Sequence, residues 1–454
     1  MNSLAAKVPR FPAPATTPRV LNLGFLRFSL DEGMSACWWR TFFPALSLFV
    51  LTATFVFTKT GRDALYFTQA EGLRDLPAAY LGIAIFSIPA AQGTLALMRW
   101  LGPRRARVAG LLIMAAVQTA LFAGVRPGGG RAMTLIFILI PLLYGVLLSL
   151  TWLLGADLLD LAPRRVLARL YATMGASSLL GGLCGAALAK TLAPAADPRS
   201  YFLIGVGGLL LTAAINAAAH RAFPVALMHH QNDLPIPSPE GGAIPAAAGV
   251  LPLLGDRYVA LLAAIALLGS VVGVLIEFQF YASAAGRSSA TTFADFYFYL
   301  NAAALTLQLF LTPALQRRVG VHGSLFVLPV ALVGVSALAL ATGSAFARAG
   351  LRIAEGGIKS SVHRSNWEQS YLPVDRTSRA SVKLLVDGMA ARMGESLGAV
   401  ILMAGAALLD PTVIMRILFG STLAWVLLTI MLRRSLSPDA DMTELRPDLP
   451  IPDG

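Results

Sequence analysis

Residues 346–365, FARAGLRIAEGGIKSSVHRS, carry Arg348, Arg352, Glu355, Lys359 and His363 at intervals of three or four. A helix over this stretch puts all five on one face. Guanidinium and ammonium groups so arranged would bind an anion, and the acids among them would keep that binding reversible. Three further clusters have the same mixed character. In TKTGRDAL (58–65), Lys59, Arg62 and Asp63 follow an apolar run. In VLIEFQFY (274–281), Glu277 and Gln279 stand among apolar neighbours with no cation nearby in sequence. In SVKLLVDGMAARMGESLGA (381–399), Lys383 and Asp387 form an i, i+4 pair, and Arg392 and Glu395 an i, i+3 pair.

Each cluster also has a plain structural reading. Lys59 and Arg62 would snorkel to headgroups, Lys383 would end a basic loop, and the 346–365 stripe would be a salt-bridged helix interface. Asp157 and Asp160 are expected to pair with Arg164 or Arg165. Enzyme signatures are missing from the sequence: it has no Walker loop, no His/Cys metal spacing and no Gly-x-Ser-x-Gly elbow. The adjacent His229 and His230 are poorly placed to share a metal ion. SSLLGGLCGAALA (177–189) lacks the Lys of a phosphate loop and reads as small-residue helix packing. The expectation is therefore no enzyme, no cofactor and no metal.

The surrounding elements belong in lipid. The chain has 454 residues, 56% of them hydrophobic and 13% charged, with mean hydropathy +0.68. Soluble domains carry roughly 25% charged residues. Apolar runs near the ~20 residues that cross a bilayer recur along the whole length. They predict an all-α integral membrane protein with about twelve spans: 38–58, 78–98, 108–125, 132–156, 168–189, 200–219, 257–281, 292–313, 321–342, 346–371, 380–405 and 411–432. The formal net charge of +12 sits largely in short basic loops such as RWLGPRRAR (99–107), APRRVLAR (162–169) and LQRRVG (315–320). The positive-inside rule places those loops and both termini in the cytoplasm, and no nucleic-acid partner is needed to explain the charge. Cys37 and Cys184 supply no disulfide framework.

The Pro- and Gly-rich stretch 223–249 cannot build a core and reads as a linker. The expected organisation is an N-terminal cytoplasmic tail (1–35, with no signal-peptide core), a six-helix half (36–220), a cytoplasmic linker (221–256), a second six-helix half (257–433) and a C-terminal tail (434–454). LGPRRARVAG after the second span is echoed by LQRRVGVHG after the eighth, six spans later. Six plus six helices around a linker resembles the major facilitator architecture, with a binding site between the halves.

At the charged clusters the chain resembles the ATP/ADP translocase family of nucleotide transporters. KTGRDAL (59–65) is similar to that family's charged segment at the end of its first span. DRYVALLAAIALLGSVVGVLIE (256–277) is similar to its seventh, with Glu277 on a functional Glu. KSSVHRSNWEQSYLPVDRTSRASVKLLVD (359–387) matches in Lys359, Glu368, Tyr371, Pro373, Lys383 and Asp387. Three positions depart. Ile140 replaces a fourth-span Glu, Glu395 replaces a late Lys, and Tyr281 replaces a basic residue. The resemblance implies a monomeric bacterial inner-membrane transporter for a small charged solute, an anion or nucleotide-like, working by alternating access. The departures imply poor ATP/ADP exchange. The rival expectation is a non-transporting membrane module, a sensor or assembly partner, which would have its cavity plugged. The substrate-binding set expected is Lys59, Arg62, Asp63, Glu277, Gln279, Arg352, Glu355, Lys359, Lys383, Asp387, Arg392 and Glu395.

Overall fold

A chain crossing lipid must satisfy every backbone N–H and C=O internally, so its long apolar runs become helices. The computed structural model describes residues 19–23, 26–30, 32–68, 72–124, 130–159, 164–223, 251–284, 289–371, 373–374, 378–408 and 411–435. Most of the expected linker, with His229 and His230, Asp160, and most of both tails lie outside the described residues. Ahead of the membrane body, Arg19–Leu23 and Leu26–Leu30 pair as an antiparallel hairpin.

Ten of the described helices are long and apolar enough to cross a bilayer. In the first half, the first span is Glu32–Phe67. The second and third are the two arms of Gly72–Gly124, bent where Gly102 takes φ 74°. The fourth, fifth and sixth are Gly130–Leu159, Arg164–Leu192 and Ser200–Ala222. In the second half, the seventh is Arg257–Ala284. The eighth runs through Ala290–Thr306, a π-helical turn at Leu307–Leu311, and Thr312–Ser324. The ninth is Val327–Thr342 and the twelfth Pro411–Arg434.

The tenth and eleventh spans are the charged ones, and each is assembled from pieces. The tenth is Ala345–Ile358, a π-helical turn at Lys359–His363, and Arg364–Gln369. The eleventh is Arg379–Lys383, a π-helical turn at Leu384–Ala390, and Ala391–Leu408. Such turns frequently interrupt α-helices at functional sites. With these two the body has twelve spans in two six-helix halves.

The halves repeat each other. Gly320, at the bend within Thr312–Ser324 where the chain turns from the eighth span to the ninth, takes φ 71°, matching Gly102 between the second and third. Only glycine adopts that backbone without strain. The fifth span lies backbone-to-backbone on the first, because a Cβ on Gly181 or Gly185 would collide with the carbonyl oxygen of Phe49 or Ala53. Six spans later, Gly394 lets the eleventh approach the Leu267 carbonyl of the seventh in the same way. Small residues are what allow lipid-embedded helices to come this close. Across the halves, the fifth span packs on the eighth, and Gly72–Gly124 packs on the eleventh.

One boundary differs from expectation. Lys59, Arg62 and Asp63 do not close the first span, which continues helical to Phe67. Lys59 and Asp63 are met by partners on the second half and Arg62 by Asp63, so the helix need not end where they begin.

Candidate functional site

The helix ends define two faces, one carrying the segment between the sixth and seventh spans (the linker face) and the face opposite. Counted from the opposite face, Glu277 lies seven residues from the end of its span at Ala284. Tyr297 is seven from Ala290, Arg352 seven from Ala345, and Lys59 eight from Phe67. At 1.5 Å rise per residue these four side chains share one layer, roughly 10–12 Å below the helix ends.

In that layer the charges neutralise one another across the halves. The Oε1 atom of Glu277 lies 3.0 Å from Arg352 and 3.6 Å from Lys59. Arg352 also pairs with Glu355, and Lys359 lies 3.0 Å from Glu355. One turn nearer the opposite face, Arg62 donates to Asp63 at 2.7 Å and packs over the Phe137 ring at 4.0 Å. Asp63 accepts from Tyr281 at 2.9 Å and from Tyr297, two hydroxyls on the other half. Asp63 is fully buried and Arg62 is 3% exposed, so neither charge would be tolerated without these partners. Phe67 stacks on Tyr281 at 4.3 Å, and Phe137 and Phe293 complete an aromatic plug toward the opposite face.

Below this seal lies a cavity of about 1120 Å³ between the halves. Ligand pockets commonly measure about 300–1,000 Å³, so the space is large enough for a small molecule. Its lining runs from Glu277 and Arg352 down to Arg99, at the linker-face end of the second span. The cavity therefore opens to the linker face. Four bases reach it: Arg99, Arg352, Lys359 and Arg392. Four acids reach it too: Glu277, Glu355, Asp387 and Glu395. Among the described residues the first-half lining is otherwise uncharged, with Tyr80, Ser87, Gln92 and Ser149 in it.

The sequence-derived set thus divides. Glu277, Arg352, Glu355, Lys359, Asp387, Arg392 and Glu395 line the cavity. Lys59, 15% exposed at its side chain, joins them through Glu277. Arg62 and Asp63 are locked in the seal, and Gln279, 1% exposed, is buried in the packing of the seventh span. The 346–365 stripe splits at its π-helical turn. Arg352, Glu355 and Lys359 face the cavity, whereas His363 stacks on Trp367 and meets Trp425 edge-on.

Lys383 does not pair with Asp387 in this fold. Lys383 pairs with Glu368, and Asp387 Oδ1 accepts from Trp367 Nε1 at 2.8 Å and Tyr371 Oη at 2.7 Å. Residues 367–371, at the end of the tenth span, lie alongside the start of the eleventh and outcompete the local i, i+4 contact. Arg392 and Glu395 do pair as spaced, at 2.7 Å. Asp157 pairs with Arg107 of the third span, while the side chains of Arg164 and Arg165 lie outside those described. Tyr297 was not legible as a site residue, and Tyr281 stood out only as a departure from a basic position of the translocase family it resembles. A tyrosine within an apolar run carries no signal until the fold puts a carboxylate beside it.

No protein-family model matches the sequence, and no curated protein matches it. Solved structures do. A mutant of the nucleoside transporter NupG aligns with TM-score 0.61 at 14% identity, covering 88% of this chain and 100% of that one. NupG itself gives 0.60 at 12% over 87% and 99%. An auto-inhibited peptide transporter of the POT family gives 0.59 at 12% over 87% and 97%. The chain therefore has the fold of these facilitator transporters and is an integral, multi-pass membrane protein.

Proposed function

We propose that this chain is a secondary transporter that moves a small charged metabolite across the membrane by alternating access. The observation that carries the reading is the roomy cavity between the halves, walled by ionisable groups and sealed at one face by contacts that cross the halves. A non-transporting module would be expected to fill that space with large side chains. Basic loops on the linker face support a cytoplasmic linker and cytoplasmic termini, with the cavity then open inward. The similarity to the ATP/ADP translocase family at residues 59–65, 256–277 and 359–387 belongs to the same proposal, as do exchange as the transport mode and a bacterial inner membrane as the location.

The lining argues against a polyphosphate as cargo. Four lining bases against four lining acids, with Lys59 adding one base through Glu277, leave too small a surplus to hold a tri- or tetra-anion in a low-dielectric space, where like charges repel strongly. The test is uptake by proteoliposomes of purified protein. Loaded with ADP and presented with labelled ATP, they should show little counter-exchange, whereas a screen of amino acids, peptides, nucleosides and monophosphates should yield an accumulated solute. No accumulation of any solute, with the cavity lining intact, would remove the transport reading. Cysteine labelling of Ser238→Cys from outside only would reverse the orientation.

A further inference from the structure

Six of the eight charged groups lining the cavity can be sorted by partner. Glu277 and Glu355 are met by Lys59, Arg352 and Lys359, and Glu395 is met by Arg392. Among the described residues Asp387 has no cationic partner. The lysine four residues before it is engaged by Glu368 instead. What Asp387 has is two neutral donors on a single oxygen. The indole of Trp367 and the hydroxyl of Tyr371, both from buried side chains, hold Oδ1. The carboxylate is therefore fixed in direction, and among the described residues no hydrogen bond to Oδ2 is made. The π-helical turn Leu384–Ala390 carries it, and with Gly388 and Met389 it lines the cavity.

An ionised carboxylate at membrane depth costs roughly 2.5–3.5 kcal/mol on insertion scales, and such groups pair or serve a translocation path. Every other acid in this cavity has a cation supplied by the protein. We propose that Asp387 docks a protonated amine on the transported solute, so that the solute itself brings the missing charge. This rests on the transporter reading and narrows it to a substrate class, an amine-bearing metabolite. A bare metal cation fits less well. It needs several oxygen or nitrogen ligands at once, and no group of three acidic, His or Cys side chains converges among the described residues. An amine needs one oriented oxygen beside a space large enough for the rest of the molecule, which is what this wall offers.

Asp387→Asn is the informative variant, because the amide oxygen still accepts from Trp367 and Tyr371 while the charge is gone. The first measurement needs no substrate. In full-length protein carrying Cys37→Ser, Cys184→Ser and Met389→Cys, held in nanodiscs, the cysteine is modified with a trimethylammonium-ethyl or a sulfonato-ethyl methanethiosulfonate. The cationic reagent should react faster, and Asp387→Asn should lower the cation-to-anion rate ratio at least about fivefold, the loss of one nearby charge. A ratio unchanged by that substitution overturns the site.

The second measurement is a thermal-shift series of amino acids, dipeptides and amino sugars, each beside its N-acetylated counterpart. Amines should stabilise the protein, their acetylated partners should not, and Asp387→Asn should lose the response. Stabilisation by the acetylated members, or a response that survives Asp387→Asn, overturns the proposal. A charge-dependent rate ratio and amine binding in a protein that accumulates nothing in proteoliposomes would instead sink the transporter reading and leave the amine site standing.

Discussion

At the scale of single residues, Glu277 holds the two halves in register. Its Oε1 is shared by Arg352 of its own half and Lys59 of the other. Glu277→Gln leaves two cations facing each other with the Glu277 charge gone. Removing one member of a dry buried pair costs about 3–5 kcal/mol. Cavity water reaches this pair, so a loss on the order of 1–3 kcal/mol is expected. It should appear as a lowered melting temperature in detergent together with loss of uptake, and a variant with wild-type melting and uptake would show that the pair is incidental. Glu395→Lys tests the eleventh-span wall of the cavity. It removes the partner of Arg392 and adds a base to the lining, so binding of a nucleotide triphosphate should rise by tenfold or thereabouts, the order of a 1.4 kcal/mol gain. The charges were readable in sequence because an ionisable group at bilayer depth is costly and needs a reason. Their partners were harder to read. Pair rules work along one helix, and Lys59–Glu277 and Asp63–Tyr281 span more than two hundred residues.

At the scale of elements, apolar length revealed the spans that are greasy throughout, and polarity blurred the two that are not. The tenth and eleventh spans were legible as helices through their spacing, yet their π-helical turns were invisible, since no residue type demands an i to i+5 bond. Those turns send His363 away from the cavity and bring Asp387 to it. The packing glycines could be read as a small-residue pattern, but their contacts appear only in the fold. Gly185→Val would drive a side chain into the Ala53 carbonyl of the first span. Overpacking costs typically about 1–3 kcal/mol, and here rigid backbone leaves little room to relax. The expected result is a lower melting temperature with Asp387→Asn chemistry at the cavity unchanged. By contrast, Gly207→Ala of the sixth span, where an added Cβ meets nothing within 4 Å, should be neutral.

At the scale of the whole molecule, the repeat decides what can move. The fifth span on the eighth and Gly72–Gly124 on the eleventh are the broadest seams between the two bodies, and the first span adds a third against the seventh and eighth. The cavity opens on the linker face, so the opposite face must part for a solute to leave that way. The contacts to be broken there are named ones: Asp63 with Tyr281 and Tyr297, Lys59 with Glu277, and Lys190 with Asp295 at 2.8 Å across the fifth and eighth spans. The last pair is about 40% exposed and contributes little to stability, which makes it a place to intervene without disturbing the core. Lys190→Cys with Asp295→Cys, in protein lacking Cys37 and Cys184, gives two thiols that a short bifunctional maleimide or an oxidant can join. Joining them should hold the opposite face shut, abolish uptake, and leave Met389→Cys as reactive from the linker face as before. A reductant should restore transport in the disulfide-linked form. If the linked protein transports as well as the free one, the opposite face does not open at this seam, and the two halves do not exchange access by rocking about the cavity.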